Sequence, residues 1–219
     1  MRRRKRGENA VTDLILWGRA NSINVQKVLW ALVEVGAPFE RRDAGMEFGV
    51  VDTPEYRKLN PNGRVPTLVD GDLALWESHA IIRYLAAKFG PASLYPEEIG
   101  ARALVDRWMF WSMGTMHPVE FPLFFHTVRL PPAERDPAIA AKAFVETCER
   151  WALIDAHLAG RDFIEGDAFT LADIVLGCSA HRWRHIPGFE RPDFPNMRAW
   201  YERLLKRPGY TAHVALPLS

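Results

Sequence analysis

The sequence predicts two domains of different class, an α/β domain followed by an all-α domain. Over the first 90 residues, apolar runs of strand length alternate with helical patterns and are separated by Gly, Pro and Asn. From residue 97 onward the apolar residues recur at helical spacing, and no convincing strand is found. A linker with two prolines, residues 91–97, separates the two patterns. We therefore predict an N-terminal domain over residues 12–90 and a C-terminal helical domain over residues 98–219.

The first domain is predicted to mix parallel and antiparallel strand pairs. Its elements are a strand at 14–17, a helix ending at Gly36, an edge strand at 38–42, a short helix at 54–59, strands at 66–69 and 73–76, and a helix from Glu77 to Gly90. A helix joins the first two strands, which favours a parallel pair. Asp70-Gly71 is a hairpin turn, so the last two strands should be antiparallel. This order is that of a thioredoxin-like fold.

The second domain is predicted to be a helical bundle. Helical periodicity gives four candidate helices, at 98–128, 137–159, 171–184 and 194–206. Pro118 and Pro122 lie inside the first, so we expect a kink or a break there. Thr170-Leu-Ala-Asp173 has the spacing of a capping box, to which we assign a role in folding rather than in chemistry.

Charge and hydropathy exclude several classes of partner. The 28 basic and 27 acidic residues leave a net charge of +1, so neither nucleic acid nor an acidic membrane surface is indicated. No apolar run of about 18 residues is present, so no membrane span is expected. The basic start, residues 1–11, is followed by no apolar stretch, and we predict a disordered tail rather than a signal peptide.

Cysteine and histidine usage indicates neither a metal nor a prosthetic group. Cys148 and Cys178 have no metal-type spacing, and we expect two buried thiols in the reducing cytoplasm. His181 and His185 are four residues apart, but no carboxylate completes a metal motif. We expect these two histidines to be solvated or to cap a helix.

The segment from Asn62 to Ser78 has the features of a clamp for a small peptide. Pro66 opens a strand directly after a turn and is a candidate for a cis peptide bond, which would turn the Val65 backbone outward to pair with an extended peptide. Glu77 and Ser78 stand where a strand becomes a helix, and the unpaired N–H groups there favour an anion. A ligand with an amine and a carboxylate at one end fits this pair. Ordinary N-capping is the alternative.

Ser22 lies at the other strand-to-helix turn and is a candidate catalytic residue. A hydroxyl at a helix N-terminus can donate to a thiolate, and the helix dipole also favours negative sulfur. Both effects lower a thiol pKa from about 8.5 toward neutrality. Asn24 lies close by and could donate as well. The alternative is that Ser22 or Asn24 simply caps the helix.

Four segments together resemble the cytosolic glutathione transferase superfamily. They are SINVQKVLW at 22–30, NPNGRVPTLV at 60–69, LWESHAIIRY at 75–84 and FTLADI at 169–174. The resemblance extends from Asp13 to about Tyr210. It implies glutathione as co-substrate, bound along Val65 and Pro66 with Glu77 and Ser78 on its γ-glutamyl end. It also implies a cytoplasmic homodimer.

The resemblance is to the serine-type classes, theta-like or nu-like. Serine-using classes place the catalytic hydroxyl fourteen residues before the glycine that ends the first helix, and Gly36 sets that position at Ser22. A bacterial class related to disulfide-reducing transferases adds an asparagine two residues further on, which Asn24 matches. No tyrosine or cysteine stands near this turn, which argues against the classes that use them. Residues 45–53 lack the His/Lys pair that often binds the glycine carboxylate, and Arg64 is the candidate for that role.

A second-substrate pocket is expected between the domains, on the aromatic and methionine-rich stretch at 108–125. Trp108 keeps step with apolar residues of the bundle and is expected in the core. The candidates for a broad apolar wall are Trp111, Met113, His117, Phe121 and Phe124. Such a wall suits a small hydrophobic electrophile. The predicted activity is therefore alkyl or aryl transfer to the glutathione sulfur, in detoxification.

Other functions on the same fold stay open. The same thiolate could reduce a disulfide or a peroxide, or serve an isomerase or a dehalogenase. A non-catalytic interaction module is a further alternative, although Ser22 and the Glu77-Ser78 pair argue against it.

Overall fold

The computed structural model describes residues 14–219, so the predicted basic tail at 1–11 lies outside the described residues. The N-terminal domain comprises β1 (Leu14–Trp17), α1 (Ile23–Glu34), β2 (Glu40–Arg42), α2 (Pro54–Leu59), β3 (Thr67–Asp70), β4 (Leu73–Trp76) and α3 (Ser78–Phe89). The strand order is β2-β1-β3-β4, with β1 parallel to β2 and the other pairs antiparallel. The predicted parallel pair, the hairpin and the thioredoxin-like order are confirmed.

The connection from β2 to α2 contains structure that the sequence did not predict. A single 3₁₀ turn, Met46–Phe48, lies in it. Met46 and Val50 both adopt left-handed backbone angles, with φ of 51° and 70°, which is uncommon for residues that carry a Cβ atom. The connection therefore has a defined backbone conformation and is not an irregular loop throughout.

The C-terminal domain is all helical, as predicted. It comprises α4 (Ile99–Trp111), α5 (His117–Phe124), α6 (Pro137–His157), α7 (Leu171–His185), α8 (Pro195–Leu204) and α9 (Pro208–His213). The break expected from Pro118 and Pro122 takes the form of two π-helical turns, Ser112–Met116 and Phe125–Arg129, on either side of α5. Prolines lack the N–H that the regular ladder requires, and a π turn lets the chain continue as a helix around them.

Helix α9 was not predicted, because six residues are too few to show a period. It packs against α1, where Gly209 allows a close approach: a Cβ atom there would lie 2.7 Å from Cδ1 of Trp30. The Trp30 and Tyr210 ring centroids are 4.6 Å apart. The two domains thus share one core around Trp30.

The capping box at the start of α7 is confirmed. The Asp173 carboxylate accepts from the backbone N–H groups of Thr170 (2.8 Å) and Ile164 (2.9 Å) and from Nε1 of Trp200 (2.8 Å). Its side chain is fully buried. The motif fastens α7, the preceding loop and α8 together, which is the folding role predicted for it.

The two cysteines differ in burial, and so do the two histidines of α7. Cys178 is buried and Cys148 is half-buried, and both are free thiols. His181 is buried rather than solvated or capping, and its ring nitrogens lie 2.9 Å from Oη of Tyr201 and 2.7 Å from the Leu216 carbonyl oxygen. His185 is exposed, and its Nδ1 lies 2.9 Å from the His181 carbonyl oxygen in the last turn of α7, as expected for a solvated or capping residue. Within residues 14–219, no group of three or more His, Cys, Asp or Glu side chains could hold a metal ion. Over the same residues, no helix is long and apolar enough to cross a membrane.

Candidate active site

A cleft lies between the N-terminal domain and α5. It comprises two cavities of about 320 and 470 Å³ that share Asn24, Arg64, Val65 and His117 as lining residues. We call the smaller one the serine cavity, because Ser22 lines it. The larger one also contains Glu77 and Ser78, and we call it the clamp cavity. The predicted catalytic and glutathione-binding residues thus line one continuous cleft.

Ser22 occupies the N-cap position of α1, but its side chain makes no capping hydrogen bond. Its backbone is extended, with φ −87° and ψ 123°, and its side chain is buried to 7% exposure at the cavity wall. In the part of the chain that the structure describes, the hydroxyl has no hydrogen-bond partner. The capping alternative for Ser22 is therefore not realised, and its hydroxyl is free to donate into the cleft.

Asn24 is held with a defined orientation of its amide. Its Oδ1 accepts from Nζ of Lys27 at 3.1 Å and from Oγ of Ser78 at 3.3 Å. A lysine ammonium has donors only, so the atom facing it must be the amide oxygen. The NH₂ group of Asn24 has no partner among the described residues. It is therefore available as a donor beside Ser22.

Sequence reasoning missed Lys27, because a lysine between apolar helix positions is usually solvent-exposed. Here Lys27 is 6% exposed, and its Nζ lies 3.4 Å from Nε2 of His79. Burial is the main cause that lowers the pKa of Lys27. Burial, and then the Lys27 charge, hold the pKa of His79 well below 6.5. His79 is thus neutral at pH 7 and accepts from the ammonium group. The only sequence signal was the polar residue itself.

The clamp has the free backbone edge that was predicted. The Val65–Pro66 peptide bond is cis, and Val65 makes no backbone hydrogen bond to any described residue. The turn before it is held rigidly, because the Arg64 carbonyl accepts from Oη of Tyr56 (2.7 Å) and from Nδ2 of Asn60 (2.8 Å). The Val65 N–H and C=O therefore form a fixed edge for an extended peptide.

Glu77 and Ser78 form the other end of the clamp. Glu77 is exposed, has a left-handed φ of 69° and makes no capping hydrogen bond to α3. Such angles cost of order 1–3 kcal/mol for a non-glycine residue and are concentrated at functional sites. Ser78 is buried to 6% exposure and donates to Asn24. This hydrogen bond connects the two ends of the cleft.

Aromatic residues form the wall of the serine cavity on the α5 side. His117, Phe121, Phe124 and Phe125 all line it. The rings of Phe121 and Phe125 are stacked, with centroids 4.0 Å apart, and Phe121 is 45% exposed. Phe124 is almost fully buried, so it supports the wall more than it offers surface. Phe125, in the second π-helical turn, was not among the predicted residues.

Comparisons with known proteins identify the family. Residues 12–87 match the glutathione S-transferase N-terminal domain, and residues 136–203 match the glutathione S-transferase C-terminal domain. Glutathione S-transferase GstB of Escherichia coli K12 is 38% identical over 208 residues, which cover 94% of this chain and 100% of that protein. Glutathione S-transferase 3 of Zea mays is 33% identical, over 95% of this chain and 96% of that protein.

The chain belongs to the glutathione S-transferase family. The fold agrees with this assignment. The theta-class glutathione S-transferase of Xanthomonas axonopodis pv. citri, solved with glutathione bound, superimposes with a TM-score of 0.91 at 47% identity. The match covers 95% of this chain and all of that one. The resemblance read from the four sequence segments is confirmed.

Trp111 and Met113, which were predicted to line the second-substrate pocket of this transferase, do not line the serine cavity. Trp111 packs on Trp108, with ring centroids 5.5 Å apart, and lines a separate depression with Leu153 and His157. Its assignment to the substrate site was wrong, because it follows Trp108 by three residues and shares that face of α4. Met113 lines the clamp cavity and a groove between α3 and α4 instead.

The transferase also places three arginines, Arg19, Arg129 and Arg182, in the wall of the serine cavity. They come from the β1–α1 turn, the second π-helical turn and α7. The sequence could not have grouped them, because they lie in segments far apart in the chain.

Proposed function

We propose that this transferase binds glutathione in the cleft, holds its sulfur as a thiolate, and joins it to the electrophilic carbon of a second substrate. The observation that carries the proposal is the uncapped hydroxyl of Ser22. It stands at the N-terminus of α1, in the same cleft as the free peptide edge at Val65.

The tripeptide fits the cleft in one direction. Its γ-glutamyl end carries both an ammonium and a carboxylate group, which suit the Glu77 carboxylate and the backbone N–H groups that begin α3 at Ser78. Its cysteine backbone pairs with Val65. The glycine carboxylate then lies toward Arg64, which is exposed and lines both cavities.

This direction brings the cysteine sulfur to Ser22 and Asn24. The hydroxyl and the amide NH₂ donate to the thiolate, and the unpaired N–H groups of α1 add a favourable field. Ionisation releases the thiol proton to solvent. The thiolate then attacks the electrophilic carbon, a carbon–sulfur bond forms, and the leaving group departs with its electron pair. Holding both reactants side by side supplies much of the rate.

The second substrate lies against Phe121 and Phe125, whose stacked rings offer an aromatic surface. His117 forms the boundary between the two cavities. Burial is the main cause that lowers the pKa of its imidazole, so it is neutral at pH 7. A substrate with an apolar or aromatic body suits this wall, in keeping with a role in detoxification.

The proposal includes a cytoplasmic homodimer without a prosthetic group. Both cysteines are free, and burial raises the pKa of Cys178 to about 12, so that thiol is inert.

Apolar side chains of α4 and the adjoining turn are exposed, among them Phe110 at 66% and Met113 at 46%. Such surfaces often mark interfaces. Light scattering during size-exclusion chromatography should give twice the chain mass, and Phe110→Asp should shift it toward the monomer.

The function itself is tested by three assays on the purified chain beside calorimetry with glutathione. We expect binding, turnover of 1-chloro-2,4-dinitrobenzene, and little activity on a mixed disulfide or a hydroperoxide. Activity confined to the last two substrates would make the protein a reductase or a peroxidase. Binding without activity toward any of the three would favour an interaction module.

A further inference from the structure

The wall of the serine cavity carries a positive charge that nothing in the wall balances. Arg19, Arg129 and Arg182 line it, together with Arg64 at the boundary. Within residues 14–219, no Asp or Glu lines this cavity, and none of the first three arginines forms an ion pair. Arg182 is buried, and Arg19 and Arg129 are half-buried. Cations taken out of water are normally paired, so this arrangement calls for an anion.

Arg182 is the most deeply placed of the three. It is 9% exposed, its guanidinium carbon lies 3.9 Å from the centroid of the Phe124 ring, and its side chain donates no hydrogen bond to any described residue. Burial lowers its pKa to about 10, so the group is still charged at pH 7. A guanidinium without a partner therefore faces the cavity beside the aromatic wall.

The other two arginines are also incompletely satisfied. Arg129 donates to the Asn21 carbonyl oxygen at 3.2 Å and contacts Sδ of Met46 at 3.1 Å, but its Nε is buried without a partner. Nε of Arg19 is likewise buried and unpaired. A buried N–H donor without an acceptor costs free energy, and a bound ligand that accepts its hydrogen bond would remove that cost.

Nearby acidic groups do not remove this charge. The charge of Glu47 raises the pKa of Arg19 and of Arg129, and the charge of Glu120 raises the pKa of Arg182. Neither carboxylate lines the cavity. Glu120 is buried and accepts from Oγ of Ser179 at 2.8 Å. Bound glutathione brings one glycine carboxylate, for which Arg64 is available. At least two guanidinium groups then stay without a direct ion-pair partner among the described residues.

We propose that the second substrate of this transferase is an aromatic electrophile that carries a carboxylate, which Arg129 and Arg182 bind while its ring lies on Phe121 and Phe125. The inference rests on the proposed transfer to glutathione and specifies its substrate class. It changes the earlier expectation of a merely hydrophobic electrophile.

A matched pair of substrates tests this class. In 4-chloro-3,5-dinitrobenzoate and 4-chloro-3,5-dinitrobenzamide the glutathione thiolate forms the carbon–sulfur bond and chloride departs with the electron pair. The two substrates have the same reacting carbon, leaving group and ring, and differ in carrying an anionic carboxylate or a neutral carboxamide of similar size. After division by each uncatalysed rate, we expect kcat/KM to favour the benzoate by at least about tenfold, as charge-assisted hydrogen bonds allow. A ratio near one, or a preference for the benzamide, would overturn the proposal.

Substitutions of the cavity arginines test which residues cause the preference for the benzoate over the benzamide. Arg129→Gln and Arg182→Gln should each lower the benzoate-to-benzamide ratio by roughly tenfold, and Arg129→Lys should restore part of it. Arg107→Gln is the matched control, because Arg107 pairs with Glu165 at 2.8 Å outside the cleft, and its ratio should equal that of the wild type. A ratio that stays constant while KM for glutathione rises would mean that the arginines bind the glycine carboxylate, and the proposal would be wrong.

A binding measurement separates this inference from the proposed function. If no electrophile is turned over, the transfer reaction fails, but the two glutathione conjugates can still be compared by calorimetry on the wild-type protein. The carboxylate conjugate should bind at least about tenfold more tightly than the carboxamide conjugate. Equal affinities would overturn the charge preference whatever the catalytic result.

Discussion

The turn from β1 to α1 and the turn from β4 to α3 both place a serine at the start of a helix that borders the cleft. At the first turn, Ser22 has an ordinary extended backbone and a hydroxyl without a partner. At the second, Glu77 has φ 69° and the Ser78 hydroxyl is already bonded to Asn24. The first turn thus keeps a donor free for sulfur, whereas the second uses its donor and tolerates strain to present a carboxylate.

The largest effect should come from the first turn. Ser22→Ala removes the free donor, and loss of one such donor typically lowers kcat by about 100-fold. Glutathione affinity should change little. Because only the thiolate reacts, kcat/KM rises as pH passes the pKa of the bound thiol, and this midpoint should move up toward about 8.5 in the variant. A pH–rate profile measures both effects.

Ser22→Thr keeps the hydroxyl and serves as the control for Ser22→Ala. Its profile should stay near that of the wild type. If Ser22→Ala has the kinetics of the wild type, the thiolate is stabilised by Asn24 or by backbone N–H groups instead, and the contrast between the two turns disappears.

The second turn should respond in binding and in stability. Glu77→Gln removes the charge but keeps the strained backbone, so KM for glutathione should rise by roughly tenfold while stability is unchanged. Glu77→Gly removes the charge and the strain together. It should raise KM similarly and also raise the free energy of unfolding by about 1 kcal/mol.

Denaturant titration with activity assays on the same samples distinguishes the two Glu77 variants. Equal stability of both would show that the left-handed angle costs nothing here. An unchanged KM in Glu77→Gln would remove Glu77 from the binding of the γ-glutamyl end.

The smallest effect should come from Lys27, which acts on sulfur only through Asn24. Lys27→Met removes one of the two donors that orient the Asn24 amide, so kcat should fall by up to about tenfold. Burying an ammonium group costs free energy, so the Lys27→Met variant should be at least as stable to unfolding as the wild type. Thermal unfolding and kcat test the pair of claims. A loss of stability without a change in kcat would make Lys27 a folding residue.

Predictions from the sequence succeeded wherever a local signal was sufficient. The turns after β1 and β4, the cis bond before Pro66, and the capping box at Asp173 each depend on a few consecutive residues. Their backbone geometry is decided by short-range sterics and hydrogen bonds, so residue type and spacing are enough to find them.

The predictions failed where helix rotation and long-range packing decide the outcome. Trp111 was assigned to the substrate wall, but the face of α4 that carries Trp108 turns it away from the cleft. Lys27 was overlooked because its partner His79 lies 52 positions away. Helix α9 is too short to show a period and depends on its contact with Trp30.

The sequence by itself determined the family, the two-domain fold, the cis bond before Pro66 and the helix start at Ser78, because these follow from local motifs and their order. Only the tertiary structure decided that Ser22 keeps a free hydroxyl, that Asn24 at the cleft has its Oδ1 bonded to Lys27 and Ser78, and that three arginines meet at one wall. The physical reason is that each of these features depends on groups brought together by packing, which spacing along the chain does not encode.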